Sequence, residues 1–410
     1  MKNKTLFGLL ALLLLAFACA NPLAPATNQP ANVETIVAAT VSALTAGPSN
    51  GSAAQATPEA EDNTSSLLPR SLYFISNDGA QIQQVYRLEK DGNTLTQLTF
   101  EPVNVDDFDV SRVDGSIAYT SGNKLLNVNA DGGNRSLLVN GGAEDENNSF
   151  MTHLSNPVIS PNGETIAFGY KGLNFYSIVS GQSNRVLDDK VEDTGQGFIV
   201  PRELYRPELY SADGSKLIIT LGYYEGASSA IYYPNGGALV RLVNENRAII
   251  CCGDYSLSND GSFLYSGNPT TGMFPAGLWQ VDTNNGNVTT LLFGDNDNNP
   301  IESADNPFIA PDGQLYYFYA STPASDDFVS SPLLQLVRSA ADGVTGRTVL
   351  RQETFQNMNE ALWAPDASFV IIANAQNDQI YFGGSAQLYY TDGRPMIPLA
   401  PFVYDMKWGP

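Results

Sequence analysis

Any chemistry in this chain has to come from carboxylates, amides and three thiols, because other reactive side chains are scarce. Its 410 residues include one histidine, His153, and the cysteines Cys19, Cys251 and Cys252, against 43 Asp and Glu. There is no Gly-x-Ser-x-Gly nucleophile elbow, phosphate loop, dinucleotide fingerprint or Cys/His zinc spacing. His153, without a sequence partner, reads first as a surface or capping residue and second as a ligand-facing one. Cys251 and Cys252 are adjacent, which is no disulfide framework. In an oxidising compartment they can close a vicinal disulfide, and otherwise they remain a pair of half-buried thiols. Residues 294–300 alternate Asp295, Asp297 and Asn299 as calcium ligands alternate. Pro300, however, stands where an EF-hand needs glycine, and Asn306 where it needs an acid. A solvated loop is the plainer reading, and Ca2+ is the one cofactor the sequence raises.

A second polar set emerges when the chain is aligned on its recurrent turns. Seven residues before the third turn residue stand Asn156, Asp254, Asn306 and Glu360, and Asp405 extends the series near the C-terminus. Two units depart from this pattern, with Phe108 and Pro207 at that place and Asp109 and Glu208 one residue later. If the strands that begin there converge, these residues form a rim for a metal ion, a cationic group or ordered water. Strand-start capping by Asn and Asp is the plainer alternative. Arg202, Glu203, Tyr205 and Arg206, expected on a loop at the same end, suit a protein interface or ordinary surface.

The elements that carry these residues read as strands. With 20 Tyr, 19 Phe and 36 Gly but only 16% charged residues, the composition suits short strands joined by tight turns. Six times an apolar strand follows a turn: Val113-Asp114-Gly115, Pro161-Asn162-Gly163, Ala212-Asp213-Gly214, Asn259-Asp260-Gly261, Pro311-Asp312-Gly313 and Pro365-Asp366-Ala367. Continuous runs such as Leu315-Tyr316-Tyr317-Phe318 and Phe369-Val370-Ile371-Ile372 suit strands covered on both faces. Each unit then adds a third strand, a second turn such as Ala130-Asp131-Gly132 or Thr391-Asp392-Gly393, and a fourth strand. The first unit lacks an innermost strand, and residues 405–410 match residues 360–365, so the C-terminus supplies it.

These units resemble the WD-like repeats of TolB-type proteins, with Ser160-Pro161-Asn162-Gly163 and Ala310-Pro311-Asp312-Gly313 the nearest to that family's turn. The resemblance implies an all-β, seven-bladed β-propeller with four-stranded blades, closed by the C-terminal strand completing the first blade. It covers residues 69–410 and is specific for fold only, because such repeats serve scaffold proteins, peptidase accessory domains and enzymes.

Ahead of the repeats, Lys2 and Lys4 precede an apolar run from Leu6 to Phe17 and then Ala18-Cys19. Residues 1–18 are expected to be a signal peptide, Cys19 a lipidated N-terminus, and residues 19–68 a flexible tether. Plain secretion after Ala18 is the alternative. The balance of 21 Lys and Arg against 43 Asp and Glu, a net charge of −22, argues against a nucleic-acid partner. The functional expectation is a monomeric, non-enzymatic binding or scaffold module for an envelope or extracellular protein or polymer. A glycan or peptide hydrolase or lyase using channel carboxylates is the alternative, and a small-molecule sensor is a third.

Overall fold

In the computed structural model, residues 66–195, 198–243, 250–252, 255–271, 274–294, 300–323 and 332–410 are described. Cys19 with the segment around it, Asp254, and the Asp295, Asp297 and Asn299 stretch lie outside them. Among the described residues the only helix is one 3-10 turn, Ser149–Met151, and everything else regular is strand. The chain opens with an antiparallel meander of β1 (Leu72–Asn77), β2 (Gln83–Leu88) and β3 (Leu95–Gln97). A four-stranded sheet follows, β4 (Val105–Val110), β5 (Ile117–Ser121), β6 (Lys124–Val128) and β7 (Ser136–Asn140). The next is β8 (Ser155–Ile159), β9 (Thr165–Gly169), β10 (Gly172–Ser177) and β11 (Gln182–Asp188).

A five-stranded sheet comes next: β12 (Lys190–Asp193), β13 (Ile199–Tyr210), β14 (Leu217–Tyr223), β15 (Gly226–Tyr233) and β16 (Ala238–Arg241). Here β13 is long enough to pair with β12 through its first half and with β14 through its second. Two more four-stranded sheets are β17 (Tyr255–Leu257), β18 (Phe263–Asn268), β19 (Ala276–Asp282), β20 (Val288–Gly294), and β21 (Ile301–Ile309), β22 (Gln314–Thr322), β23 (Leu334–Ala340), β24 (Thr348–Phe355). The last strands are β25 (Met358–Trp363), β26 (Phe369–Asn374), β27 (Gly384–Tyr390) and β28 (Ile397–Trp408). The twelve-residue β28 pairs with β27 through its first half and with β1 through its second, so β25–β28 and β1–β3 make one seven-stranded sheet.

The turns explain much of the acidic composition. Asp114, Asn162, Asp213, Asp260, Asp312 and Asp366 each accept, at Oδ1, the N–H two residues on at 2.9–3.2 Å. The next residue in each turn has φ between 58° and 79°, which is why five of the six are glycine. The Ser211 and Ser258 hydroxyls, aided by these N–H groups, hold the Asp213 and Asp260 carboxyls down at about 2.

Period-two alternation explains the unbroken apolar runs. In β22, Leu315 and Tyr317 pack with Tyr265, Leu278 and Leu292, whereas Tyr316 and Phe318 pack with Phe355 and Trp363. In β26, Phe369, Ile371 and Ala373 face one neighbour and Val370 and Ile372 the other. Seven apolar clusters occur among the described residues. Six join units consecutive in the chain, and one joins the last to the first, through Ile371, Ala373 and Leu388 against Leu72, Phe74 and Leu88.

Two expectations are corrected. Leu68, assigned to the tether, is fully buried and its N–H donates to Lys90 O at 2.9 Å, so the packed body begins before residue 69. Arg202, Glu203, Tyr205 and Arg206 lie in β13 and not on a loop. Glu203 accepts from Tyr205, Lys190 and Arg241, and Arg206 grips Asp189, while Arg202 pairs with Glu192. Glu203 and Arg206 are thus engaged within the fold, whereas the Arg202–Glu192 pair lies on the surface.

Candidate functional site: a carboxylate cluster on the first strands of the units

The polar column recurs for a backbone reason. Asn156, Asn306 and Asp405 all have positive φ, 53°, 44° and 52°, and each sits where strand register shifts between paired partners. Such bulges place one residue in the left-handed region, which Asn and Asp tolerate best after glycine. Asn156→Gly is therefore expected to keep full stability, and Asn156→Ala to lose about 1–2 kcal/mol in denaturant melts. Equal losses would show that the side chain, and not its φ, is what matters there.

Of the column, Asp109 on β4, Glu208 on β13, Glu360 on β25 and Asp405 on β28 are brought into one electrostatic cluster. Asn156 and Asn306 enter by conformation, and the Asn306 carbonyl accepts Trp363 Nε1–H at 2.9 Å. Two members escaped sequence reasoning, Asp107 and Lys407. Lys407 Nζ lies 2.8 Å from Asp405 Oδ1 and 3.8 Å from Asp107 Oδ1. It also donates to the Phe108 carbonyl and stands 4.5 Å from the centre of the Phe108 ring. A signal existed: in the turn alignment Lys407 falls in a column otherwise filled by Val110, Val158, Leu209, Ser256, Phe308 and Leu362.

The carboxylates also tie neighbouring first strands together. Asp109 Oδ2 accepts the Ile159 N–H of β8 at 2.7 Å. Glu360 accepts the Met406 N–H of β28, and Trp408 Nε1 donates to Trp363 O at 2.7 Å. Burial, reinforced by the Asp405 charge, pushes Glu360 up to about 8 against the opposing Met406 N–H and Lys407. Burial likewise raises Asp107 well above its ordinary value, with Asp405 and Glu208 adding to it and Lys407 opposing. Burial works against the Lys407 ammonium, but Asp405, Asp107 and Asp109 outweigh it and hold the amine protonated. Lys407, Asp107 and Asp405 nonetheless keep 27–29% of their side-chain surface in contact with solvent, so water reaches the cluster. The arrangement holds one fixed cation, retains a proton on Glu360 at neutral pH, and leaves an excess of negative charge.

Of the other candidates, His153 and its partner Glu144 act on Asp106, next to the cluster, and the cysteines lie elsewhere. His153 pairs with Glu144 at 3.2 Å on the surface. Cys251 and Cys252 are joined in a vicinal disulfide, with Cys252 at φ 71° and its N–H on Thr220 Oγ1 at 3.2 Å. Among the described residues no group of three or more His, Cys, Asp or Glu side chains is arranged to hold a metal ion.

No family model matches the chain, and no curated protein matches its sequence. Solved structures do resemble it. An oligogalacturonate lyase in complex with manganese is similar at a TM-score of 0.51 and 11% identity, over 81% of this chain and 85% of that one. A prolyl endopeptidase structure is similar at 0.51 and 13%, over 83% of this chain and 51% of that one. TolB from Acinetobacter baumannii is similar at 0.43 and 13%, over 83% and 82%. At these identities the likeness is one of fold.

Proposed function

We propose that the chain is an exported, non-enzymatic binding module: a seven-bladed, TolB-like β-propeller held to a membrane by a lipid on Cys19. Support for the ring comes from the seven inter-unit clusters and from β28, which serves as fourth strand of one unit and first strand of another. Support for the binding role rests on one observation, the distribution of exposed aromatic rings. In an antiparallel four-stranded unit, the loops after the second and fourth strands share an edge with the start of the first. Among the described residues that edge carries Phe100, Phe198, Tyr223, Tyr224, Phe293, Tyr381 and Phe382, seven of the eight exposed aromatics. Only Phe263 lies at the other. Exposed aromatics gathered on one face mark recognition surfaces. The partner is an envelope or extracellular protein or polymer, and the net charge of −22 turns away nucleic acid.

Intact mass and detergent partitioning of native protein beside a Cys19→Ala variant test the anchor. The native chain is expected to carry a diacylglyceryl mass and enter the detergent phase, and the variant to stay aqueous. Aqueous behaviour of both, with cleavage after Ala18, would replace the anchored module by a secreted one.

One observation favours a second reading, a glycan or peptide hydrolase or lyase: Glu360, protonated at neutral pH beside Asp405, is suited to act as a general acid. Oligogalacturonate itself, the substrate class in the lyase's name, is a polyanion that this cluster repels. Turnover of any oligosaccharide or peptide that disappears in Glu360→Gln would establish the enzyme and retire the module.

A further inference from the structure

Beside the carboxylate cluster, the aromatic face is built more deliberately than elsewhere. Tyr381 and Phe382, in the loop between β26 and β27, are 80% and 60% exposed. The loop is nevertheless clamped, because Asn359 Nδ2 donates to the carbonyls of Ile380 and Gly383 at 3.0 and 2.7 Å. Gly383 has φ 65°, and a Cβ there would stand 2.7 Å from the Phe402 ring, so only glycine lets the loop seat against that ring. Phe382 and Phe402 both meet Tyr404 edge-on, at 6.0 and 6.3 Å between centroids. Rings held out to water by fixed backbone contacts lose little conformational freedom when something covers them.

Charge says what covers them. The charges acting on the Tyr404 phenol are Asp405, Asp106 and Asp107, all negative. Elsewhere the protein places its own cations on paired rings and carboxylates. Arg394 Cζ lies 3.7 Å from the Tyr390 centroid with Asp392 at 2.8 Å. Arg347 Cζ lies 3.9 Å from that of Tyr319 with Glu302 at 3.2 Å. Lys407 repeats the pattern on Phe108 and Asp405. At the Tyr381–Phe382–Phe402–Tyr404 ridge the ring face and the exposed Asp106 offer the same pairing outward.

We propose that this ridge docks a Lys- or Arg-bearing extended segment of a partner protein, its cations against Asp106 and its stems across the rings. The proposal rests on the binding-module reading and names its partner's chemistry.

The test uses the full mature protein and a fluorescent oligo-arginine peptide, read by anisotropy at low and high salt. Wild type is expected to bind, with affinity falling as salt rises. A Tyr381→Ser/Phe382→Ser variant should bind about tenfold more weakly, as should Asp106→Asn. Val179→Ser, an exposed site away from the ridge, should bind as wild type does. All four positions are exposed, and unchanged melting temperatures would confirm that each variant folds. Equal affinity of the ridge variants and wild type would overturn the proposal, since the peptide would then be sampling the acidic surface at large. Failure of wild type to bind would overturn it as well. So would tighter binding of a neutral oligosaccharide, or a wild-type dimer that the ridge variant abolishes. None of these outcomes touches the anchor or turnover experiments, so the module reading stands or falls separately.

Discussion

Lys407→Met is expected to cost about 3 kcal/mol of folding stability at pH 7, read as a lowered urea midpoint with unchanged slope. Methionine keeps the stem but leaves Asp405 and Asp107 facing each other, and Asp109 beyond them, without their shared cation. Breaking a buried pair costs more than the pair contributes, because the surviving charges stay desolvated. With about a quarter of these side chains reached by water, the low end of the usual range applies. The loss should shrink on acidification, as the stranded carboxylates take up protons and no longer need a counter-charge. A midpoint equal to wild type at pH 7 would mean that the cluster is solvated as an ordinary surface would be.

Glu360→Gln should do the opposite and stabilise the protein at alkaline pH. An unfolded glutamate ionises near 4.5, whereas Glu360 in the fold ionises at about 8. Between those values the unfolded chain has released a proton that the folded chain keeps, so raising pH withdraws stability until about pH 8 and no further. The full difference corresponds to about 5 kcal/mol, and water in the cluster lowers it. We expect the variant to match wild type near pH 4 and to exceed it by about 2 kcal/mol at pH 9, in melts followed across that range. Glutamine Oε1 can still accept the Met406 N–H, so the strand contact is preserved. Parallel pH profiles for the two proteins would show that Glu360 ionises normally.

The two substitutions act on one feature, the charge balance where β28 meets β4 and β25. That strand is also where the exposed ridge is anchored, through Phe402 and Tyr404. Asp109 and Glu360 hold first strands together, and Asp405, Asp106 and Asp107 set a negative field at Tyr404.

Much of this was written in local sequence. The Asx-Gly turns announce themselves because each needs an acceptor at one residue and a positive φ at the next, and both demands are met within a few residues of chain. The strands after them read as continuous apolar runs because each packs on two neighbours, as Leu315 to Phe318 do. The match of residues 405–410 to 360–365 likewise anticipated the pairing of β28 with β1. The polar column was visible too, but not the backbone conformation beneath it: Asn156, Asn306 and Asp405 each take a positive φ, which Asn and Asp tolerate.

Tertiary structure alone decided which of those residues meet. Lys407, Asp107 and Glu360 are separated by dozens to hundreds of positions and share no motif, so only the convergence of β4, β25 and β28 makes them a cluster. The same holds for Arg202, Glu203 and Arg206, which look like free surface charges until Glu192, Lys190, Arg241 and Asp189 are seen beside them. Turn chemistry and strand periodicity are short-range and repeat with the backbone, so the sequence determined the units. Charge pairing and desolvation depend on through-space neighbours, so only the folded chain set the state of Glu360 and the field around Tyr404.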